Sequence, residues 1–157
     1  MAAKLNLDKL DLQIIHHMME NAEISYADLG KKLFVSGGTI HVRIKKLQEA
    51  GVVKGTRLSA DLKLLGYDVI AFIGIYLKES SLYDNVAKEL QKMPEIVRLN
   101  YTTGNYSMFL EIVCKDINQL RRVLHDELQK IKGIERTETI ISLDDGFCRN
   151  VQVAPAD

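Results

Sequence analysis

Apolar residues near the start of the chain recur at spacings of three and four, with Leu7, Leu10, Ile14 and Met18 in one row, and predict an amphipathic helix from Asp8 to about Glu20. The stretch NAEIS breaks it. Ser25 with Asp28 three positions later is a capping-box-like start, and Ile24 stands where a hydrophobic staple to Leu29 would sit, so a second, short helix is expected to about Phe34. The device then repeats: Ser36 caps a third helix, Val35 and Ile40 take the staple positions, and Ile40, Ile44 and Leu47 make one buried face before Gly51 ends it. Two short helices separated by two or three residues, behind a longer one, make a trihelical helix-turn-helix. After it, VVKGTRLS offers two β-prone stretches around Lys54-Gly55 that suit a small hairpin wing, and ADLKLLGYD reads as a helical turn and linker.

From residue 69 the rhythm changes. VIAFIGIYL is a strand; Leu82, Val86, Leu90 and Met93 mark a helix stopped at Pro94; IVRLNYTT and YSMFLEIVC are strands about the turn Gly104-Asn105. Ile117, Leu120, Leu124 and Leu128 mark another helix closed by Gly133, and IERTETIISL is a last strand. The order βαββαβ predicts a ferredoxin-like α+β domain, an antiparallel sheet with two helices on one face. The expected organisation is a winged helix-turn-helix over 1–58, a linker over 59–68 and the βαββαβ domain over 69–157. In the first strand Val69, Ala71, Ile73, Ile75 and Leu77 point one way and Ile70, Phe72 and Tyr76 the other, so both faces are apolar although helices cover only one. An apolar sheet face of that extent marks an association surface, and a homodimer stacked sheet on sheet is expected.

Charge sharpens this picture. The chain has 21 basic and 21 acidic side chains, yet Arg43, Lys45, Lys46, Lys54 and Arg57 crowd residues 36–57 against the lone acid Glu49. The stretch SGGTIHVRIKK at 36–46 lacks the spacing of a phosphate loop or a dinucleotide fingerprint, and a helix and turn precede it where those need a strand. On a wheel centred on Ile40 the solvent face consists of Gly38, His41, Val42, Lys45 and Lys46, flanked by Thr39 and Arg43. Such a helix enters a DNA major groove N-terminus first, residues 37–42 near base edges and basic residues near phosphates. Gly37 and Gly38 each cost roughly 1 kcal/mol of helix propensity, which argues for close backbone approach at this nose. The candidate DNA-binding set is Ser36, Gly37, Gly38, Thr39, His41, Val42, Arg43, Lys45, Lys46, Lys54 and Arg57; on the pattern alone Lys45 and Lys46 also suit a merely solvated face.

These segments together resemble the Lrp/AsnC, or feast/famine, family of transcriptional regulators, and are especially similar to its asparagine-responsive AsnC branch. The likeness runs through LDKLDLQIIHHMMENAEISYADLGKKLFVSGGTIHVRIKKLQEAGVVKGTR, LGYDVIAFIGIYLK, NYTTGNYSMFLEIVC and TETIISL, in order and correctly spaced over nearly the whole chain. The resemblance implies an effector-binding RAM domain, dimers that assemble into octamers on double-stranded DNA, and an amino acid effector held between dimers. Asparagine is the implied effector, with leucine and methionine as alternatives. By position it implies Tyr101, Thr102, Thr103, Gly104, Asn105, Tyr106 and Ser107 as one wall of the effector site, with Thr137, Glu138 and Thr139 facing it. Gly37 stands where the family often has proline, and Asn105 where charged or histidine residues are common. The chemistry agrees, since a zwitterion needs N–H donors for its carboxylate and oxygen acceptors for its ammonium. On residues alone TTGNY also reads as an ordinary hairpin turn.

Other chemistry finds little support. His16 and His17 are neighbours expected to face different sides of the first helix, His41 and His125 belong to other elements, and Cys114 and Cys148 have neither metal-ligand nor disulfide-framework spacing, so no metal is expected. GxSxG and HExxH are missing and no catalytic residue is assigned. With no N-terminal signal pattern and no spanning apolar run, the expected location is cytoplasmic. Three other readings stand beside the regulator: an effector-independent nucleoid-type DNA-wrapping protein, a small dimeric α+β enzyme acting on amino acids, and an RNA-binding module, the last opposed by an acidic second half.

Overall fold

The structure is a computed structural model that describes residues 6–144 and 146–153. Residues 6–59 with the tail 147–153 form one compact unit, and residues 60–144 with Gly146 form a second. The expected second domain ran to 157; the tail instead groups with the first unit, where the Asn150 side-chain amide donates to the Met19 carbonyl at 2.9 Å.

Three helices build the first unit: α1 (Lys9–Glu20), α2 (Tyr26–Lys32) and α3 (Gly37–Glu49). Each start is tied by a side chain that satisfies an otherwise orphaned amide. Asp8 and Asp11 form a reciprocal capping box, Asp11 N to Asp8 Oδ1 at 2.8 Å and Asp8 N to Asp11 Oδ2 at 3.2 Å. Ser25 Oγ accepts from Asp28 N at 3.1 Å, and Ser36 Oγ from Thr39 N at 3.0 Å. Ile14, Leu29, Ile40 and Ile44 make the core, packed by Leu10, Met18, Ile24, Leu33 and Val35. Between α2 and α3 the chain folds back on Gly30, where a Cβ would lie 2.7 Å from the Val35 carbonyl oxygen. That reversal leaves Phe34 left-handed, φ 57°, and 96% exposed.

The expected hairpin wing does not form a ladder among the described residues: 52–58 carry no strand. Both Val52 and Val53 donate their amides to the Leu47 carbonyl at the end of α3, at 2.9 and 3.1 Å. Arms this short, with the entering amides already engaged, do not sustain an isolated two-stranded ribbon.

The second unit is the expected βαββαβ. Strands β1 (Val69–Leu77), β2 (Ile96–Tyr101), β3 (Met108–Cys114) and β4 (Ile134–Ile141) pair antiparallel in the order β2-β3-β1-β4. Helix α4 (Tyr83–Leu90) and helix α5 (Ile117–Arg122) lie on one face; α5 loosens to a π turn over Val123–Glu127 and tightens to 3-10 over Leu128–Lys130. Ala71, Ile73, Ile75, Leu110 and Ile112 meet Val86, Leu90, Leu120, Val123 and Leu128 in the core. Among the described residues no helix is long and apolar enough to cross a membrane.

Phe34 makes a direct test of the turn. A left-handed non-glycine residue carries roughly 1–2 kcal/mol of conformational cost, part of which glycine returns as extra unfolded-state entropy. Since Phe34 has almost no packing to lose, Phe34→Gly is expected to stabilise the helical unit by about 1 kcal/mol, read as a higher urea midpoint at unchanged slope.

Candidate functional site

Burial of Ile40, Ile44 and Leu47 turns the opposite side of α3 to solvent. Gly38, His41, Val42, Lys45 and Lys46 are exposed along it, Val42 at 66%. Ser36 and Thr39 are joined at the nose by a hydroxyl pair at 2.9 Å, and the His41 ring leans on Tyr26 with centroids 5.7 Å apart. Lys45 reaches Glu49 at 4.0 Å, a loose exposed pair that leaves its ammonium accessible.

The two glycines do different work. A Cβ on Gly37 would stand 3.3 Å from Ala27 Cα and from the Tyr26 carbonyl oxygen, so the close approach argued from sequence lies within the fold, against the start of α2. Gly38 faces open space, with only Ser36 Oγ within 4 Å at 3.6 Å, and is the position whose backbone is free to near a large ligand.

Arg43 is also turned inward. Its Nη1 donates to Asp11 Oδ1 at 3.0 Å and to Asp8 Oδ2, so one guanidinium joins α3 to the cap of α1. Asp11 is the one charged residue that is buried among the described residues, and Arg43 is what neutralises it. The hydrogen bond from Arg43 holds the Asp8 carboxyl below its ordinary range, and the same contacts raise Arg43 further above its own. Lys54 and Arg57 follow α3 on the segment that lines a groove of about 500 Å³ with Ile15, Met18 and Met19 of α1.

In the second unit the helix-free face of the sheet carries the other candidate site. Strand register puts Ile70, Phe72, Gly74 and Tyr76 of β1 on this face beside Phe109 and Val113 of β3 and Arg136, Glu138 and Ile140 of β4. Phe72 and Phe109 stack at 5.9 Å, Tyr106 follows Phe109 at 5.9 Å, and Tyr76 meets Tyr106 edge-on at 5.2 Å. Gly74 makes room for that row, because a Cβ there would stand only 2.4 Å from Tyr106 Cδ1 and Cε1. At the row's polar end Glu138 accepts from Tyr106 Oη at 2.8 Å, Tyr76 Oη at 3.1 Å and Arg136 Nη1 at 3.0 Å, while the Arg136 guanidinium lies 3.7 Å over the Tyr76 ring. The Tyr106 hydroxyl, then that of Tyr76, holds Glu138 below the usual carboxylate range. Accepting those bonds, Glu138 in turn pushes Tyr106 up, and burial does most of the same for Tyr76.

The ten effector positions expected from sequence divide by face. Tyr106 and Glu138 meet on the helix-free face. Thr102 and Ser107 brace the turn, Thr102 Oγ1 donating to the Tyr106 carbonyl at 2.8 Å and Ser107 N to the Ile75 carbonyl at 2.8 Å. Thr103, Gly104 and Asn105 form its exposed tip, Gly104 at φ 98°. Tyr101, Thr137 and Thr139 pair with Met108, Ile75 and Ile73, so they lie on the helix side, where Tyr101 rests on Tyr83 with centroids 4.4 Å apart. Gly74, Tyr76 and Arg136 were missed; alternation by two from Glu138 marks Arg136, whereas the cross-strand partners Gly74 and Tyr76 need the register.

Comparison with known proteins places both units. Residues 7–54 match the family model described as winged helix-turn-helix DNA-binding, and residues 70–150 the Lrp/AsnC ligand binding domain. The chain is 42% identical over 147 residues to the regulatory protein AsnC of Haemophilus influenzae, covering 94% of this chain and 98% of that one. The solved structure of Escherichia coli AsnC superposes with a TM-score of 0.86 at 40% identity, covering 93% of this chain and 98% of that one. A Neisseria meningitidis transcriptional regulator solved as an L-Met complex has the same fold, with a TM-score of 0.84 at 22% identity over 92% of this chain and 94% of that one.

The Arg43 clamp sets an expected outcome. Arg43→Ala leaves the Asp11 carboxylate without its cation, at a cost of about 1–2 kcal/mol after allowance for the half-exposed setting, read as roughly tenfold faster hydrogen exchange of α3 amides. Because Asp8 is held below its ordinary value, its share of the clamp is present above the ordinary aspartate range, near pH 4, and is lost as pH falls through the lowered value. The difference between wild type and Arg43→Ala is therefore expected to shrink below about pH 4.

Proposed function

This chain belongs to the Lrp/AsnC family, a DNA-binding transcriptional regulator with an amino-acid effector-binding domain and not an enzyme; from that premise we propose which residues read DNA and which receive the effector. The observation that carries the DNA reading is the exposed strip Gly38, His41, Val42, Lys45 and Lys46, opposite the buried row of α3. In this reading Ser36, Gly37 and Thr39 shape the nose, Gly38 admits the DNA backbone, and His41 with the Val42 methyls meets base edges. Lys45 and Lys46 take phosphates, with Lys54 and Arg57 as further phosphate contacts. Arg43 holds the helix at the right angle rather than touching DNA.

For the effector, the turn 102–107 and the polar end of the aromatic row supply the needed chemistry. Glu138 is a carboxylate for an ammonium, Arg136 a cation for a carboxylate, and the Thr103 to Asn105 tip offers amides and hydroxyls. Similarity to proteins named AsnC supports asparagine as the effector; the L-Met complex of the more distant relative keeps methionine as the second candidate. The apolar end of the same face, Ile70, Phe72, Phe109 and Ile140, supports a homodimer stacked through these sheets, and dimers of that kind are the units of a proposed octamer.

Two experiments test these assignments. Lys45→Ala is expected to weaken DNA binding about equally on all sequences and to lower the salt slope by roughly 1, while His41→Ala and Val42→Ala change base preference by about 1–3 kcal/mol. Equal losses on every sequence for all three would remove α3 as the base reader. In sedimentation, Phe72→Lys is expected to shift the chain toward monomer, and Gly74→Ala, which must displace Tyr106, to remove the change in oligomer mass caused by asparagine or methionine. An unchanged mass for Phe72→Lys and an intact response in Gly74→Ala would move the interface and the effector site elsewhere.

A further inference from the structure

The sequence reading set His16 and His17 on different sides of α1, but the structure draws both rings toward a third residue. On the helical wheel neighbours stand about 100° apart, and Glu20, at i+4 from His16 and i+3 from His17, falls between them one turn on. His16 Nε2 lies 3.6 Å from Glu20 Oε1, His17 Nδ1 lies 3.5 Å from Glu20 Oε2, and the ring centroids are 5.3 Å apart. All three potential ligand atoms lie within 4.8 Å of one another. We propose that His16, His17 and Glu20 bind one transition-metal ion of the zinc, nickel or copper class on the C-terminal half of α1.

Three features carry this. Ligand atoms sharing a tetrahedral ion at 2.0–2.1 Å stand roughly 3.3–3.4 Å apart, so the two nitrogen-to-oxygen separations already approach chelate geometry. His17 Nδ1 is buried and without a hydrogen-bond partner, a lone pair or N–H that the fold leaves unused, since 3.5 Å from Glu20 is too long to satisfy it. The site also sits at the C-terminal end of α1, where the helix dipole favours a cation. Two imidazoles and one carboxylate are the donor set that selects zinc, nickel or copper over calcium or magnesium, and three protein ligands leave positions for water. His125 beside Asp126 and His41 beside Tyr26 provide only one imidazole each and serve as controls.

The test uses the full chain without an affinity tag, treated with chelator and titrated with Co2+ by absorption and with Zn2+ by calorimetry. One equivalent per chain is expected, with visible ligand-field bands of a low-coordinate Co2+ ion and a raised melting temperature. His16→Ala and Glu20→Gln are each expected to lower Zn2+ affinity by at least the roughly tenfold typical of losing an outer-shell partner, while His41→Ala and His125→Ala leave it unchanged. Glu20 is well exposed, so Glu20→Gln tests the site without removing packing as a change at half-buried His17 would. Zn2+ binding that is equally tight in His16→Ala and Glu20→Gln, or a wild-type affinity no better than millimolar, overturns the proposal.

Discussion

Ile40 and Ile44 pack against Ile14 of α1 and Leu29 of α2, and this burial decides which side of α3 is left to solvent. A helix has one circumference. Whatever stripe is committed to the core fixes the orientation of the rest, and side chains of no special chemistry thereby aim His41, Val42 and Lys45 outward together. The Arg43 clamp and the tight seat of Gly37 on α2 serve the same end by removing the remaining freedom of roll and slide. Residues that look like part of the DNA surface in sequence are thus divided between those that aim the helix and those it presents.

A sheet solves the same problem with two faces instead of a circumference. Helices α4 and α5 cover one face with aliphatic side chains, and the other carries an aromatic row whose composition changes along its length. Phenylalanines and Ile140 occupy one end and the Tyr76, Tyr106, Glu138 and Arg136 network the other. Close packing of Tyr106 over Gly74 joins the two ends into one surface, so a ligand that moves Tyr106 also disturbs the apolar end. A ligand shifts an equilibrium only through contacts that differ between the two states, and in the proposed reading this shared surface supplies them.

Charge acts locally throughout. The net charge of zero conceals pairs in which one partner is held in place by the fold: Asp11 by burial and Glu138 by two tyrosine hydroxyls. In each, the backbone sets the geometry and the charge answers it. Exposed pairs such as Lys45 with Glu49 contribute little to stability, which leaves those lysines available to an outside anion.

Sequence alone determined the elements, their order and their buried faces, because the periods of 3.6 and 2 and the capping side chains are local consequences of backbone geometry. Ser25, Ser36 and the Ile40, Ile44, Leu47 row were legible for that reason, as was the alternation of β1. Only the tertiary structure decided that Arg43 turns to Asp8 and Asp11, that Gly37 answers to Ala27, and that Glu138 meets the hydroxyls of Tyr76 and Tyr106. Those facts depend on which elements meet and in what register, and residues on different elements carry no periodic signal of it. The wing shows the same limit from the other side: local β propensity was present, but the partner amides were already engaged by the end of α3.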